Sequence, residues 1–358
     1  MKLIKLEPLK RIKVLRPYVA ARSILKGKGY LYFDANENSV PLINSKQCRG
    51  INRYPDPTAD KLRLAISGYY DLKQEQVLIG NGSDELIDLL IKTYVRQGRR
   101  VLSFAPTYGM YRARSEANNI GYKSIPLAFG FKPDWGLLKK NAEQGDVLIL
   151  CNPNNPTGSV IPLNEIKRFA FGFSGLVIVD EAYGEFADAQ GFLSGISLVK
   201  AQMNNVAVLR TFSKAFGAAG LRLGYVAAPK GVVDSLLKVK YPYNVNSLSQ
   251  NLGLKLWQRR RHMEQVVKQT LAEKKFLQAG LAKLGCKILP SLANYFLLEP
   301  PSNFIARQIY NQLKERNKIV TRIFLDEASL TTMLRITVGS RKENLKLLRA
   351  FSGILPIN

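Results

Sequence analysis

The residues with the most obvious capacity for chemistry lie in one stretch, Thr211-Phe-Ser-Lys-Ala-Phe-Gly-Ala-Ala-Gly-Leu-Arg222. It follows a short apolar run, Val206 to Leu209, long enough for a buried strand. Two hydroxyls (Thr211 and Ser213), Lys214, a set of small residues and Arg222 then follow in order. Hydroxyls and a guanidinium suit a phosphate, because all of them donate hydrogen bonds and the guanidinium adds charge. A lysine withdrawn from water, with another cation nearby, has a lowered pKa, and its neutral amine can form a Schiff base with a carbonyl. Taken alone, Ser213-Lys214 is equally well a surface loop holding one of the chain's 53 Lys and Arg residues. The reading therefore depends on partners elsewhere.

The elements that must position these groups alternate in type from Val77 onward. Val77 to Gly80 reads as a strand and Asn81 to Asp84 as a turn. Glu85 to Tyr94 reads as a helix, with Leu86, Leu89 and Leu90, and Ile87, Ile91 and Tyr94, at helical spacing. The strand Val101–Phe104 ends in Ala105-Pro-Thr-Tyr108, and Val147–Cys151 ends in Asn152-Pro-Asn-Asn-Pro-Thr-Gly158. Leu176–Val179 ends in Asp180-Glu-Ala-Tyr183, and Leu223–Ala228 follows the lysine stretch. This alternation predicts an α/β domain with a mostly parallel sheet between helices. Ligands of such sheets bind beyond the carboxyl ends of the strands. Tyr108, Asn155, Asp180, Tyr183, Thr211, Ser213 and Lys214 all fall at those ends. Gly82-Ser83-Asp84, a turn opening a helix, offers free N–H groups and the helix dipole to an anion. It also reads as a plain helix cap. After about Leu236 the texture changes. Helices over Asn251–Leu284, strands at Tyr295–Leu298 and Leu334–Val338, and a helix over Phe304–Arg316 predict a smaller α+β domain. The expected division is an N-terminal arm over 1–45 belonging to the small domain, a large domain over 46–245 and a small C-terminal domain over 246–358.

Composition narrows the alternatives. The chain has 358 residues, 46% of them apolar, and no run of membrane-span length. Met1 to Arg22 is basic but broken by Lys, Glu and Pro, without the apolar segment of a signal peptide, so a cytoplasmic location is expected. Cys48, Cys151 and Cys286 are widely spaced, which argues against a disulfide scaffold or a zinc site. A net charge of +26 favours anionic ligands. Its densest cluster, Arg259-Arg-Arg-His262, reads as a solvated helix face, and no specific nucleic-acid partner is expected. The single histidine, His262, rules out a multi-histidine metal site and, unless it serves itself, a Ser-His-Asp triad. No metal is expected, and proton transfer falls to Lys, Tyr, Asp or Glu. Ser197-Leu-Val-Lys200 fits Ser-x-x-Lys, but its companion motifs are absent.

Asn155, Asp180, Tyr183, Lys214 and Arg222, in that order, make chemical sense as a site for pyridoxal 5'-phosphate. Lys214 would carry the aldehyde. Asp180 would face the pyridine nitrogen and keep it protonated, so that the ring acts as an electron sink. Asn155 and Tyr183 would bond the ring-hydroxyl side and Tyr108 would stack on the ring. Gly82, Ser83 and Asp84, with Thr211, Ser213 and Arg222, would hold the phosphate.

The order of these segments resembles the fold-type-I pyridoxal-phosphate aminotransferases, and within them the histidinol-phosphate aminotransferase family. The resemblance runs from Arg16-Pro-Tyr18 through Ala35-Asn-Glu-Asn38, Arg53-Tyr-Pro55, Ala105-Pro-Thr-Tyr-Gly-Met-Tyr111, Asn154-Asn-Pro-Thr-Gly158 and Asp180-Glu-Ala-Tyr183. It continues through Arg210-Thr-Phe-Ser-Lys-Ala-Phe-Gly217 to Leu334-Arg-Ile-Thr-Val-Gly339. It implies transamination between glutamate and imidazole-acetol phosphate, giving L-histidinol phosphate and 2-oxoglutarate in histidine biosynthesis. It further implies that Lys214 is the proton carrier, and that Tyr54 reaches the cofactor phosphate of a neighbouring subunit in a homodimer. Arg335 would bind the glutamate carboxylate, and Tyr18, Arg322 and Arg335 the substrate phosphate. Asn36, Glu37 and Asn38 would meet the imidazole end, with Asn246 and Asn294 as further pocket residues. The chain departs from the family where Ser39 stands in place of a proline, with proline only at Pro41. Aromatic amino-acid transamination and threonine-phosphate decarboxylation are the neighbouring activities that share most of these residues.

Overall fold

The computed structural model of the chain describes residues 29–33, 36, 55–96 and 98–355. A two-residue strand, β1 (Leu31–Tyr32), precedes the main sheet. That sheet is built from β2 (Val77–Gly80), β3 (Arg100–Ala105), β4 (Gly121–Pro126), β5 (Val147–Cys151), β6 (Val177–Asp180), β7 (Val206–Thr211) and β8 (Gly224–Ala227). Its seven strands run in the order β2-β8-β7-β6-β5-β3-β4. Only β8 is antiparallel to its neighbours, β2 and β7. The remaining pairs are parallel. The expected α/β class with a mostly parallel sheet is therefore the observed one.

Both faces of the sheet are covered, which accounts for the unbroken apolar runs of its central strands. Side chains alternate between faces along each strand. Leu102, Leu150, Val179 and Val208 enter one core and Val101, Ile149, Ile178 and Leu209 the other. The edge strand β4 has no counterpart in the sequence reading, and the reason is physical. Of its six residues only Ile125 is buried, so it lacks the apolar run that marks its neighbours. It is held by six paired residues of β3, from Arg100↔Gly121 to Ala105↔Pro126.

The C-terminal part has its own sheet. Strands β9 (Lys287–Ile288), β10 (Tyr295–Glu299), β12 (Arg322–Ile323) and β13 (Leu334–Thr337) form it in the order β12-β13-β10-β9, while β11 (Ile319–Val320) pairs in parallel with β1. A third core fills the space between this sheet and the helices Ala306–Asn317 and Arg341–Ile354, and Phe33 joins it. The last helix opens with a capping box, Ser340 and Glu343, which satisfies N–H groups that the first turn leaves without partners. The helix Arg260–Lys283, 24 residues long, serves both parts. Met263, Val266 and Val267 belong to a core of the main sheet, and Leu277 and Leu281 to the C-terminal core.

One ion cluster ties β7 to the turn after β6. Arg210 is fully buried; its Nη2 lies 2.7 Å from Glu181, and its Nη1 lies 3.4 Å from Glu185 and 2.9 Å from Asp188. Gly184 makes room for it, since a Cβ there would lie 2.4 Å from the guanidinium carbon. Burial pushes the Glu185 carboxyl up to about 7 and raises that of Glu181, while the guanidinium opposes both shifts. Arg210→Met would strand these carboxylates, and the expected loss of stability is roughly 3–5 kcal/mol. Urea unfolding of the variant against the parent chain measures it.

Candidate active site

Because β2, β3, β5, β6 and β7 all point the same way, the segments that leave their carboxyl ends meet along one edge of the sheet. The register fixes the level of each group. Cys151, Asp180 and Leu209 lie side by side on β5, β6 and β7, and Gly80, Gly224 and Thr211 on β2, β8 and β7. The antiparallel β8 begins at this edge, which brings Arg222, two residues before it, to the same place.

Asp180 is the buried acid of the site, 2% exposed. Tyr111 donates its phenolic hydrogen to Oδ2 at 2.7 Å, and the N–H of Ala182 donates to Oδ1 at 3.1 Å. Burial pushes this carboxyl up to about 6, against the lowering effect of the two donors, while Asp84 and Glu181 push it up further. Cys151 lies beside it. Its thiol donates to the Pro153 carbonyl and its sulfur accepts the N–H of Asn155, both at 3.4 Å. Burial and the charge of Asp180 lift that thiol to about 12, so it stays neutral.

A cradle of donors lies at the β2, β7 and β8 ends. Gly82 adopts φ 83° and caps the helix Ser83–Tyr94. A Cβ on it would meet Arg222 Nη2 at 2.7 Å, and although that flexible tip could shift, φ 83° with ψ 169° is a conformation that favours glycine. A Cβ on Gly224 would lie 2.9 Å from both the Gly82 carbonyl carbon and the Ser83 nitrogen. Arg222 donates to Ser213 Oγ at 3.4 Å and to Asp84 Oδ2 at 3.1 Å, and Thr211 Oγ1 donates to Ser213 Oγ at 3.0 Å. Asp84 also accepts from the Tyr108 phenol at 3.1 Å. The Tyr108 ring stands edge-on to Tyr111, with centroids 5.6 Å apart.

A second network runs from the other side of the edge. The Tyr183 hydroxyl accepts from Asn36 Nδ2 at 3.0 Å and Asn155 Nδ2 at 3.4 Å, and Lys214 Nζ lies 5.7 Å from the centre of its ring. Asn155 Oδ1 accepts in turn from Arg335 Nη1. Asn36, buried and at φ 54°, accepts from Thr337 Oγ1 at 2.6 Å, and its carbonyl accepts from Asn294 at 3.1 Å. Asn294 Oδ1 is buried and without a hydrogen-bond partner among the described residues. Arg322 and Arg335 oppose each other across β12 and β13, and the Phe324 ring lies 5.7 Å and 5.9 Å from their guanidinium carbons.

Lys214, Asp180, Tyr183, Asn155, Tyr108, Thr211, Ser213, Arg222 and the turn Gly82-Ser83-Asp84 thus share one edge, and Asn36 and Arg335 reach it through Tyr183 and Asn155. Asn246 accepts the Ser249 N–H at 2.8 Å and caps the helix Ser247–Gln258. Tyr18, Glu37, Asn38 and Tyr54 lie outside the described residues. Tyr295 and Thr337 enter the sequence reading only as strand and motif residues, and Tyr111 only as the end of a motif. Tyr295 stacks edge-on against Tyr183 at 4.9 Å and donates to the Asn154 carbonyl at 2.7 Å. Only the strand alternation carried a signal for Tyr295, and it reads as ordinary core. Among the described residues no helix is long and apolar enough to cross a membrane.

The aminotransferase class I and II family matches residues 30–351. Histidinol-phosphate aminotransferase of Cytophaga hutchinsonii is 37% identical over 344 residues, covering 94% of this chain and 95% of the relative. That of Bacteroides fragilis is 38% identical over 343 residues, covering 94% of each. The solved histidinol-phosphate aminotransferase of Sinorhizobium meliloti, in complex with pyridoxal-5'-phosphate, shares the fold at a TM-score of 0.88. It is 24% identical and covers 97% of this chain and 96% of that one.

The Asp180 carboxyl at about 6, above its ordinary 3.8, carries a pH signature for the cofactor-free protein. Between those values the folded chain binds the extra proton, so this group favours folding below about 4 and costs stability as pH rises through 6. The cost approaches roughly 3 kcal/mol at neutral pH. Asp180→Asn, with the Tyr111 hydroxyl free to turn, is therefore expected to stabilise the cofactor-free protein at pH 8 by roughly 1–3 kcal/mol. The gain should vanish by pH 4. Urea midpoints across that range measure it, and identical midpoints at pH 8 would contradict the burial argument.

Proposed function

The chain belongs to the histidinol-phosphate aminotransferase family, within the class I and II aminotransferases, and from that membership we propose that it exchanges an amino group between glutamate and imidazole-acetol phosphate. The products are 2-oxoglutarate and L-histidinol phosphate, a step of histidine biosynthesis. The observation that carries the reading is the meeting of Lys214, the buried Asp180 and the Gly82–Ser213–Arg222 cradle at one sheet edge.

The cofactor it calls for is pyridoxal 5'-phosphate, which when bound supplies an electron sink next to the amine-bearing carbon. The residues present fit it. The cradle gathers a guanidinium, two hydroxyls and a helix N-terminus around a turn too tight for any side chain, a donor set suited to a phosphate dianion. Lys214 would hold the cofactor through its amine, and once the substrate's own amine had displaced it, the freed Nζ would take the proton from the substrate's amine-bearing carbon. Asp180 would present its carboxylate to the ring nitrogen. Asn155 and Tyr183, which are hydrogen-bonded to each other, would hold the ring-hydroxyl side, and Tyr108 would cover one ring face. Ser83 and Asp84 contribute through their backbone N–H groups, while the Asp84 carboxylate steers Arg222. Arg335 and Arg322 receive the anionic ends of the two substrates, and the Phe324 ring lies against both guanidiniums.

The expected contacts of Tyr18, Glu37 and Asn38 with substrate, and of Tyr54 with a partner subunit's cofactor in a homodimer, belong to the same proposal. So do the division into large and small domains and a cytoplasmic location.

A coupled assay with glutamate as donor tests the substrate. Turnover with imidazole-acetol phosphate should far exceed that with phenylpyruvate, and the reverse order would sink the substrate assignment. Lys214→Ala should lower transamination by at least about 10³-fold, because attachment and a proton carrier worth roughly 10²–10⁴ are lost together. Its thermal unfolding should stay close to that of the cofactor-free parent, since no core packing changes.

A further inference from the structure

Tyr111 is fully buried, and its hydroxyl serves the one carboxylate on which the cofactor reading depends. It sits in the helix Met110–Ala117, on the face of the sheet that holds Cys151 and Leu209. Beside the buried phenols of Tyr183 and Tyr295, which also feel its charge, the groups that act most strongly on Asp180 divide into two sets. Cys151 on β5, Glu181 next in the chain and Asp84 on the helix Ser83–Tyr94 are neutral or negative, and the surrounding burial disfavours a charge. Against them stand two donors, the Ala182 N–H and the Tyr111 phenol. The backbone donor comes with the turn itself, whereas the phenol is supplied by a separate helix. Burial raises the Tyr111 phenol well above its ordinary range, so it remains a protonated donor throughout working conditions. An ionised carboxylate keeps further acceptor sites when both oxygens each accept one hydrogen bond, so a ring N–H can still be received.

Resting on the cofactor reading above, we infer that Tyr111 is a positioning residue: its phenol pins Asp180 and holds it ionised where the carboxylate meets the cofactor's ring nitrogen. The role is distinct from filling the core. A hydrogen bond to an ion is stronger than one between neutral groups, and it fixes the orientation of the carboxylate plane as well as its charge.

Tyr111→Phe keeps the ring and removes only the donor. In the holoenzyme three results are expected. The pyridoxal 5'-phosphate dissociation constant, read by absorbance titration, should rise about tenfold or more. The acid limb of the kcat profile should move up by about one pH unit, because Asp180 protonates more readily. The KM for glutamate should change less than about twofold, since Tyr111 touches neither Arg322 nor Arg335. In an Asp180→Asn background the same substitution should alter cofactor affinity by less than about twofold, because the charge it serves is gone. This double variant also keeps the test open if Tyr111→Phe alone does not fold. A lowered melting temperature with affinity and acid limb unchanged would overturn the inference, as would a further tenfold loss of affinity in the Asp180→Asn background. Failure of the parent chain itself to bind pyridoxal 5'-phosphate would instead remove the functional reading beneath it.

Discussion

Asp180 is a carboxyl buried to 2% exposure, and the role proposed for it requires that it be kept charged. Left alone, a buried carboxylate takes up a proton and becomes useless as the counter-charge of a cationic ring. The fold answers with donors from two directions, a turn and a helix. It also sets Asp180 at the end of a central strand, in register with Cys151 and Leu209, where neighbours on both sides fix its position. The cofactor-free chain bears the strain of that arrangement. A bound cation would relieve it, and this links ligand affinity to folding stability.

The same edge holds a second set of constraints that is longer in range. Tyr183 receives hydrogen bonds from Asn36, far upstream, and from Asn155, which in turn receives Arg335 from the C-terminal sheet. Asn36 is itself held by Thr337 and Asn294. Groups from three distant parts of the chain therefore converge on one phenol. The side chains that would meet the substrate's anionic ends are joined through amides to those that would meet the cofactor. Amides suit this task because each offers both a donor and an acceptor.

Much of this was legible from residue order. Short apolar runs alternating with helical periods gave the class, and the parallel sheet then required that residues following β3, β5, β6 and β7 lie together. Lys214, Asp180 and Asn155 could be placed by that rule without any knowledge of angles. The less legible parts share a cause. β4 is an edge strand with half-exposed residues, so it carries no apolar signature. Tyr111, Tyr295 and Thr337 act through hydrogen bonds from positions that hydropathy reads as core or plain strand. Arg210 is a charge at the end of an apolar run, tolerated because three carboxylates come to it from the segment that follows β6. Asn246 is a helix cap that its place before Ser247–Gln258 makes legible, since asparagine is among the favoured capping residues.

The helix Arg260–Lys283 is one continuous element packed into a core at each end. At about 1.5 Å per residue it extends roughly 36 Å, with Met263 and Val266 anchored beside the main sheet and Leu277 and Leu281 beside the smaller one. Loosening either anchorage frees half of its apolar stripe and weakens the grip of the other half. The two sheets of the molecule thus share one structural member, and a substitution at either set of anchors bears on the packing of both.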